Sequence, residues 1–95
     1  IIVVDNGSTD PGTLEYLDAR SRAGKIRVVR DDLPFNFSRI NNRAVREAKG
    51  ELLGFLNNDL TVISPEWLGE MVSHAVRPED GGVGARLLFP NDSLQ

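Results

Sequence analysis

Apolar residues gather in four short runs, and polar segments with helical spacing separate these runs. The runs occupy residues 1–4, 25–30, 52–56 and 83–89. Short runs rich in β-branched or large apolar residues favour strands. The first and third runs are apolar on both faces, which is typical of strands buried in a parallel sheet. The sequence therefore predicts four strands with helical segments between them.

Each helical segment begins at a capping signal. In chain order, the predicted caps are Asp10 before Pro11, Asn36 or Ser38, and Ser64 before Pro65. A short side-chain oxygen at this position accepts a hydrogen bond from a free backbone N–H, and proline suits the first helical position. We expect helices over residues 11–22, from the second cap to about Lys49, and from Pro65 onward. Gly24 and Gly50 should end the first two.

The third helix carries an apolar stripe at helical spacing, which predicts a buried face. The stripe consists of Trp67, Leu68, Met71, Val72 and Ala75. Strands that alternate with helices indicate an α/β sandwich with a mostly parallel sheet. The length of 95 residues allows one domain.

Composition narrows the classes of protein and partner. A net charge of −3 argues against bulk nucleic-acid binding, and the absence of cysteine excludes disulfides and thiolate metal sites. No apolar run approaches the length of about 18 residues that a spanning helix needs. The chain begins inside a predicted strand, so we expect it to be a piece of a longer protein.

Polar clusters follow the two most apolar strands. The first opens with Asp5 and Asn6, and the second consists of Asn57, Asn58 and Asp59. If the strands run parallel, both clusters lie at the sheet edge where α/β proteins bind ligands. Asp5 and Asn6 could then contact a base or ribose, while Asp59 could hold a hard divalent cation on phosphates. A turn that caps the following segment is the simpler alternative for residues 57–59.

Several segments resemble family 2 glycosyltransferases, the inverting enzymes of GT-A fold. Residues 2–10, IVVDNGSTD, resemble their second-strand motif, and residues 50–59, GELLGFLNND, resemble the strand that leads to their Asp-x-Asp-type motif. Further similar segments are residues 35–38 (FNFS), 41–42 (NN), 65–68 (PEWL) and 82–88 (GVGARLL). The resemblance covers nearly the whole chain in order, and it implies a Rossmann-like GT-A sandwich.

The resemblance also implies a site. Family members bind a nucleotide-sugar donor and a divalent metal, Mg²⁺ or Mn²⁺. Asp5 and Asn6 would lie beside the nucleoside; Asn57 and Asp59 would take the acidic positions of the second motif, with Asn58 between them and Asp59 as the metal ligand. Many members carry acidic residues where this chain has Asn6 and Asn57. An amide supplies no charge, so we expect weaker metal binding.

By the same resemblance, residues 1–95 form the donor-binding half of a partial GT-A domain. The family's first strand and its C-terminal part are absent, and the catalytic base would lie in the latter. We therefore name no catalytic residue and expect the chain alone to be inactive. The absent strand would sit at the centre of the sheet. Without it, backbone groups of the neighbouring strands are unpaired, and we expect them to promote self-association of the chain.

The implied function is sugar transfer from a nucleotide-diphosphate sugar to a glycan or lipid-linked acceptor, in cell-surface polysaccharide or O-antigen synthesis. Such enzymes act in the cytoplasm, often as peripheral proteins at the inner face of the membrane. Two alternatives stay open. One is a non-catalytic α/β module that keeps only the fold, and the other is a sugar-phosphate nucleotidyltransferase.

Charged residues elsewhere favour ordinary structural roles. Arg39, Arg43 and Arg46 line one predicted helix face. They could meet a diphosphate or an anionic surface, but a solvated face is the favoured interpretation. Asp31 and Asp32 fall in a turn-like loop, where adjacent carboxylates are usually solvated.

Overall fold

The computed structural model describes all 95 residues and shows an α/β chain. Its elements are β1 (Ile2–Asp5), α1 (Pro11–Arg22), β2 (Arg27–Arg30), α2 (Phe37–Glu47) and α3 (Trp67–Ala75). The chain divides into two compact units, Ile1–Phe55 and Leu56–Gln95, and each is described by itself. The predicted α/β class is confirmed.

The sheet of the first unit has two parallel strands, β1 and β2. Ile2 faces Arg27 in this register, and Asp5 faces Arg30 at the far end. Parallel neighbours need a crossover connection, and α1 provides it. The backbone N–H of Asp31 donates to Asp5 O at 2.9 Å, which extends the pairing one residue beyond the sheet. Helix α1 packs against β2 and α2 packs against β1.

The first two helices begin where the sequence predicts. Asp10 Oδ2 accepts a 2.7 Å hydrogen bond from Thr13 N, and Gly24 follows α1 with a φ of +67°. Of the two candidate caps of α2, Asn36 is the one in place, because its Oδ1 accepts from Arg39 N at 2.9 Å. Helix α2 ends at Glu47, slightly before the predicted end.

Two of the four strand predictions are wrong. Residues 52–56 pair with no strand and are exposed, and residues 83–89 contribute only an isolated bridge between Leu88 and Leu94. A strand buried on both faces needs hydrogen-bonded neighbours and covering elements, and no segment of the chain supplies them for residues 52–56. Gly54 weakens the strand preference further.

Helix α3 differs from its prediction in its first residue and in the burial of its apolar stripe. The helix begins at Trp67, and Ser64 caps no N–H with its side chain; its backbone oxygen accepts from Trp67 N at 3.1 Å instead. The predicted stripe is not covered, since Leu68 and Val72 are exposed while Trp67 and Met71 are half-buried. The interpretation of this stripe as a buried face is therefore wrong in this chain.

Neither unit buries an apolar side chain. The only buried residues are two carboxylates, Asp5 and Asp31, with 5% and 2% of their surface exposed. A two-stranded sheet with one helix against each strand leaves much of its apolar surface in water. No helix of the chain has the length and apolar character that crossing a membrane requires.

Candidate functional site

The carboxyl end of β1 is fixed by an ion-pair network around Asp5. Its Oδ2 is paired with Arg30, which the parallel register places directly opposite. The Oδ1 atom accepts from Ser8 N at 3.0 Å, so the carboxylate also closes the turn after the strand. Arg30 further donates to Ser8 O at 3.1 Å and to Asp32 Oδ1 at 2.6 Å. Asp5 therefore holds the loop in place with both of its oxygens.

Two opposing effects set the pKa of Asp5. Burial raises it, but hydrogen bonds from Ser8 and the ion pair with Arg30 outweigh burial and bring the pKa below its usual value. Hydrogen bonds and charge interactions with Asp32 and Asp5 raise the pKa of Arg30. Asp5 is thus a carboxylate at neutral pH.

Asn6 ties the end of β1 to the loop that follows β2. Its Nδ2 donates to Asp31 O at 2.7 Å and to Leu33 O at 2.9 Å. Because both partners are carbonyl oxygens, they fix the orientation of the amide group, which could not present its own oxygen to them. Both amide hydrogens are used, so Asn6 offers a ligand only its Oδ1, a hydrogen-bond acceptor.

Asp31 is the second buried carboxylate, and it anchors α2. Arg39 Nη1 lies 2.6 and 2.8 Å from its two oxygens, and Leu33 N donates to Oδ1 at 3.1 Å. Arg43 Nη1 lies 3.5 Å from Oδ2. The hydrogen bond from Arg39 is the main reason why the pKa of Asp31 lies below its ordinary value, although burial opposes it.

The interpretation of Asp31 as a solvated loop residue is wrong, because its side chain is only 1% exposed. Asp32 does remain exposed, and it pairs with Arg30. The sequence offered one signal for this difference: arginines at helical spacing begin eight residues after Asp31. Arg30 was missed as a member of the strand-end network, and only the strand register, not local sequence, pairs it with Asp5.

The second predicted cluster lies in the second unit. Asn57, Asn58 and Asp59 are exposed, and Asn58 and Asp59 form a turn. Their side chains make no hydrogen bond or ion pair within the chain, so the Asp59 carboxylate is unpartnered. The first cluster belongs to the other unit, and a shared site for the two clusters stays a prediction.

Residues 57–59 can hold a divalent cation only if other ligands complete its coordination. No group of three or more acidic or histidine side chains comes together in the chain. One free carboxylate flanked by amide oxygens provides hard oxygen ligands, and Mg²⁺ commonly fills its other positions with water and substrate phosphates. Asp59 could therefore hold a cation that arrives with a phosphorylated ligand.

Comparison with known proteins decides the family. The profile described as Glycosyl transferase family 2 matches residues 1–94. The chain belongs to this family. No solved structure matches it significantly.

Two curated proteins are similar to this family 2 chain along its whole length. The O-antigen biosynthesis protein RfbC of Myxococcus xanthus is 46% identical over 95 residues. The uncharacterized protein y4gI of Sinorhizobium fredii is 46% identical over 96 residues. Both alignments include the whole of this chain. The chain spans only 7% of the length of RfbC and 11% of the length of y4gI.

Proposed function

We propose that this family 2 chain is the donor-binding part of a glycosyltransferase that acts in cell-surface polysaccharide or O-antigen synthesis. The family match over residues 1–94 is the observation that carries the proposal. The similarity to an O-antigen biosynthesis protein supports the polysaccharide setting. The match favours this class over a sugar-phosphate nucleotidyltransferase.

The donor in this proposal is a nucleotide-diphosphate sugar whose nucleoside lies at the end of β1. Asp5 shapes that place, because Arg30 and Ser8 occupy its oxygens. Asn6 contacts the nucleoside with its free Oδ1. An acceptor oxygen suits a base that presents a ring N–H, such as uracil, thymine or guanine.

The phosphates of the donor lie at residues 57–59 in this proposal. Asp59 would hold Mg²⁺ or Mn²⁺, and the amide oxygens of Asn57 and Asn58 could add ligands or contact the phosphates directly. A bound cation would supply positive charge for the departing diphosphate. With one carboxylate, this chain should bind free cation weakly and bind it well only together with the diphosphate.

The acceptor is a glycan or lipid-linked glycan, and no nucleic acid takes part. We propose that the full-length gene product works in the cytoplasm, as a peripheral protein at the inner face of the membrane. We assign none of residues 1–95 the role of the general base that deprotonates the acceptor hydroxyl; their role in this proposal is to bind and orient the donor.

Calorimetric titration of the full-length gene product tests the donor site. UDP, dTDP and GDP would each be titrated with and without Mn²⁺, into the native protein, Asp59→Ala and the control Asp80→Ala. Asp80 is an exposed acid of the same unit, outside the predicted site. We expect metal-dependent binding that Asp59→Ala weakens at least about tenfold and Asp80→Ala leaves unchanged.

The other outcomes separate the alternatives. Binding that ignores both metal and Asp59→Ala would move the phosphate site away from residues 57–59. If a well-folded protein binds none of the three nucleotides, the chain is a non-catalytic α/β module. If a nucleotide does bind, product analysis with the corresponding sugar nucleotide distinguishes sugar transfer from nucleotidyl exchange.

A further inference from the structure

A groove of about 510 Å³ lies in the first unit, between α2 and the loop after β2. Its lining consists of Asp31, Leu33, Arg39, Asn42, Arg43 and Arg46. Three guanidinium groups therefore meet one carboxylate in a chain whose net charge is −3. The groove is therefore positively charged in a molecule that carries a net negative charge.

One arginine of the three is held in place by the chain itself. Arg39 donates to both oxygens of Asp31 and, through Nη2, to Pro34 O at 2.6 Å. Its charge is matched by the buried carboxylate, and its side chain is held from two directions. Arg39 therefore has a fixed position in the lining of the groove, and its charge is balanced by Asp31.

The other two arginines keep their donors. Arg43 approaches Asp31 only to 3.5 Å and makes no side-chain hydrogen bond. Arg46 has no acidic partner, and both side chains are exposed. They lie three residues apart on α2, so their like charges are neighbours on one helix face and repel each other. Asp31 is already neutralised by Arg39, which leaves about two uncompensated positive charges beside the groove.

We propose that this groove binds a phosphate-type oxyanion through Arg43 and Arg46, with the Asn42 amide as a further donor. A guanidinium donates two parallel hydrogen bonds that match two oxygens of a phosphate, and such charge-assisted bonds are among the strongest that side chains form. A bound oxyanion also removes the repulsion between the arginines. The site needs no metal, since its charge is already positive, and it does not depend on Asp59.

The phosphate group could belong to a soluble phosphate or to a lipid headgroup, and the test separates the two. Pyrophosphate would be titrated calorimetrically into the full-length gene product at low ionic strength, with EDTA present to remove divalent metals. In parallel, flotation would measure binding to vesicles of phosphatidylglycerol and of phosphatidylcholine. The variants are Arg43→Gln and Arg46→Gln. Arg77→Gln is the matched control, because Arg77 is an exposed arginine two residues after α3.

We expect metal-free binding of pyrophosphate, of phosphatidylglycerol vesicles, or of both. Each of the two groove variants should weaken it by about tenfold, which is the usual range for losing one charge-assisted hydrogen bond. Arg43→Lys should lose less than Arg43→Gln because it keeps the charge. Arg77→Gln and Asp59→Ala should change nothing, so this result is independent of the donor-site test.

Two outcomes would overturn the proposal. One is the absence of metal-free binding to both pyrophosphate and anionic vesicles. The other is binding that the groove variants and the control weaken equally, which would show general attraction of anions. Hydrogen exchange at residues 37–47 of each variant establishes whether α2 remains folded; Arg39 is left intact throughout because it holds Asp31.

Discussion

At the scale of single residues, the structure separates side chains that build the strand-end loop from side chains that can contact a ligand. Asp5 and Asp31 are buried and fully engaged. Asn6 is engaged only through its nitrogen. An aspartate at position 6 would have no hydrogen to donate to the two carbonyl oxygens, so the asparagine serves a structural purpose here that a carboxylate could not.

The free oxygen of Asn6 leads to a prediction about base recognition. In the full-length gene product, UDP should bind about two- to tenfold more tightly than UDP methylated at N3 of uracil, because methylation removes the ring N–H that Asn6 Oδ1 would accept. Competition calorimetry measures the ratio. Asn6→Ala should reduce it to about one. Equal affinities for the two ligands in the native protein would place the base elsewhere.

Asp31 leads to a prediction about pH. Its folded pKa is lowered by Arg39, so its contribution to stability is complete above the unfolded pKa of about 4 and is lost as pH falls through the lower folded pKa. Hydrogen exchange in the segment from Asp31 to Arg39 should therefore be unchanged between pH 7 and 5, after correction for the intrinsic rate, and should accelerate below about pH 4. Asp31→Asn should exchange faster at pH 7 and lose this acid-dependent step; an unaltered step would assign it to another group.

At the scale of elements, the first two helices were predictable, whereas the start and buried face of α3 and half of the strands were not. The start of α1 follows from Asp10, Pro11 and Thr13, which are neighbours in sequence. Residues 52–56 carry the same apolar character as β1, but a strand exists only where another segment pairs with it. The sequence pattern reports a preference for extended, buried backbone and contains no information about the partner. For the same reason the pairing of Asp5 with Arg30 was not predictable from local sequence.

The cap of α2 allows a direct test of one such local signal. Asn36→Ala removes the acceptor of the Arg39 N–H and should destabilise the first turn of α2 by about 1 kcal/mol, or roughly fivefold in hydrogen-exchange protection. Asn36→Asp keeps an acceptor at this position and should retain the protection. If Asn36→Ala exchanges at the native rate, the contacts of Arg39 with Asp31 are sufficient to fix the start of the helix.

At the scale of the whole molecule, apolar surface is the dominant feature. Nineteen large apolar side chains are exposed, and none is buried. The outer edge of β1 pairs with no strand either. Both features favour further burial of this chain against other polypeptide.

We therefore predict that the isolated 95-residue chain associates with further copies of itself and does not transfer sugar. The exposed apolar side chains favour burial against another copy, and an unpaired strand edge offers backbone groups for intermolecular pairing. Sedimentation velocity over a hundredfold range of concentration measures the association, which should strengthen with concentration and with added sulfate because apolar burial drives it. A clean monomer at the highest concentration would contradict the first part. Sugar transfer by these residues alone would contradict the second, since it would require a general base among residues 1–95.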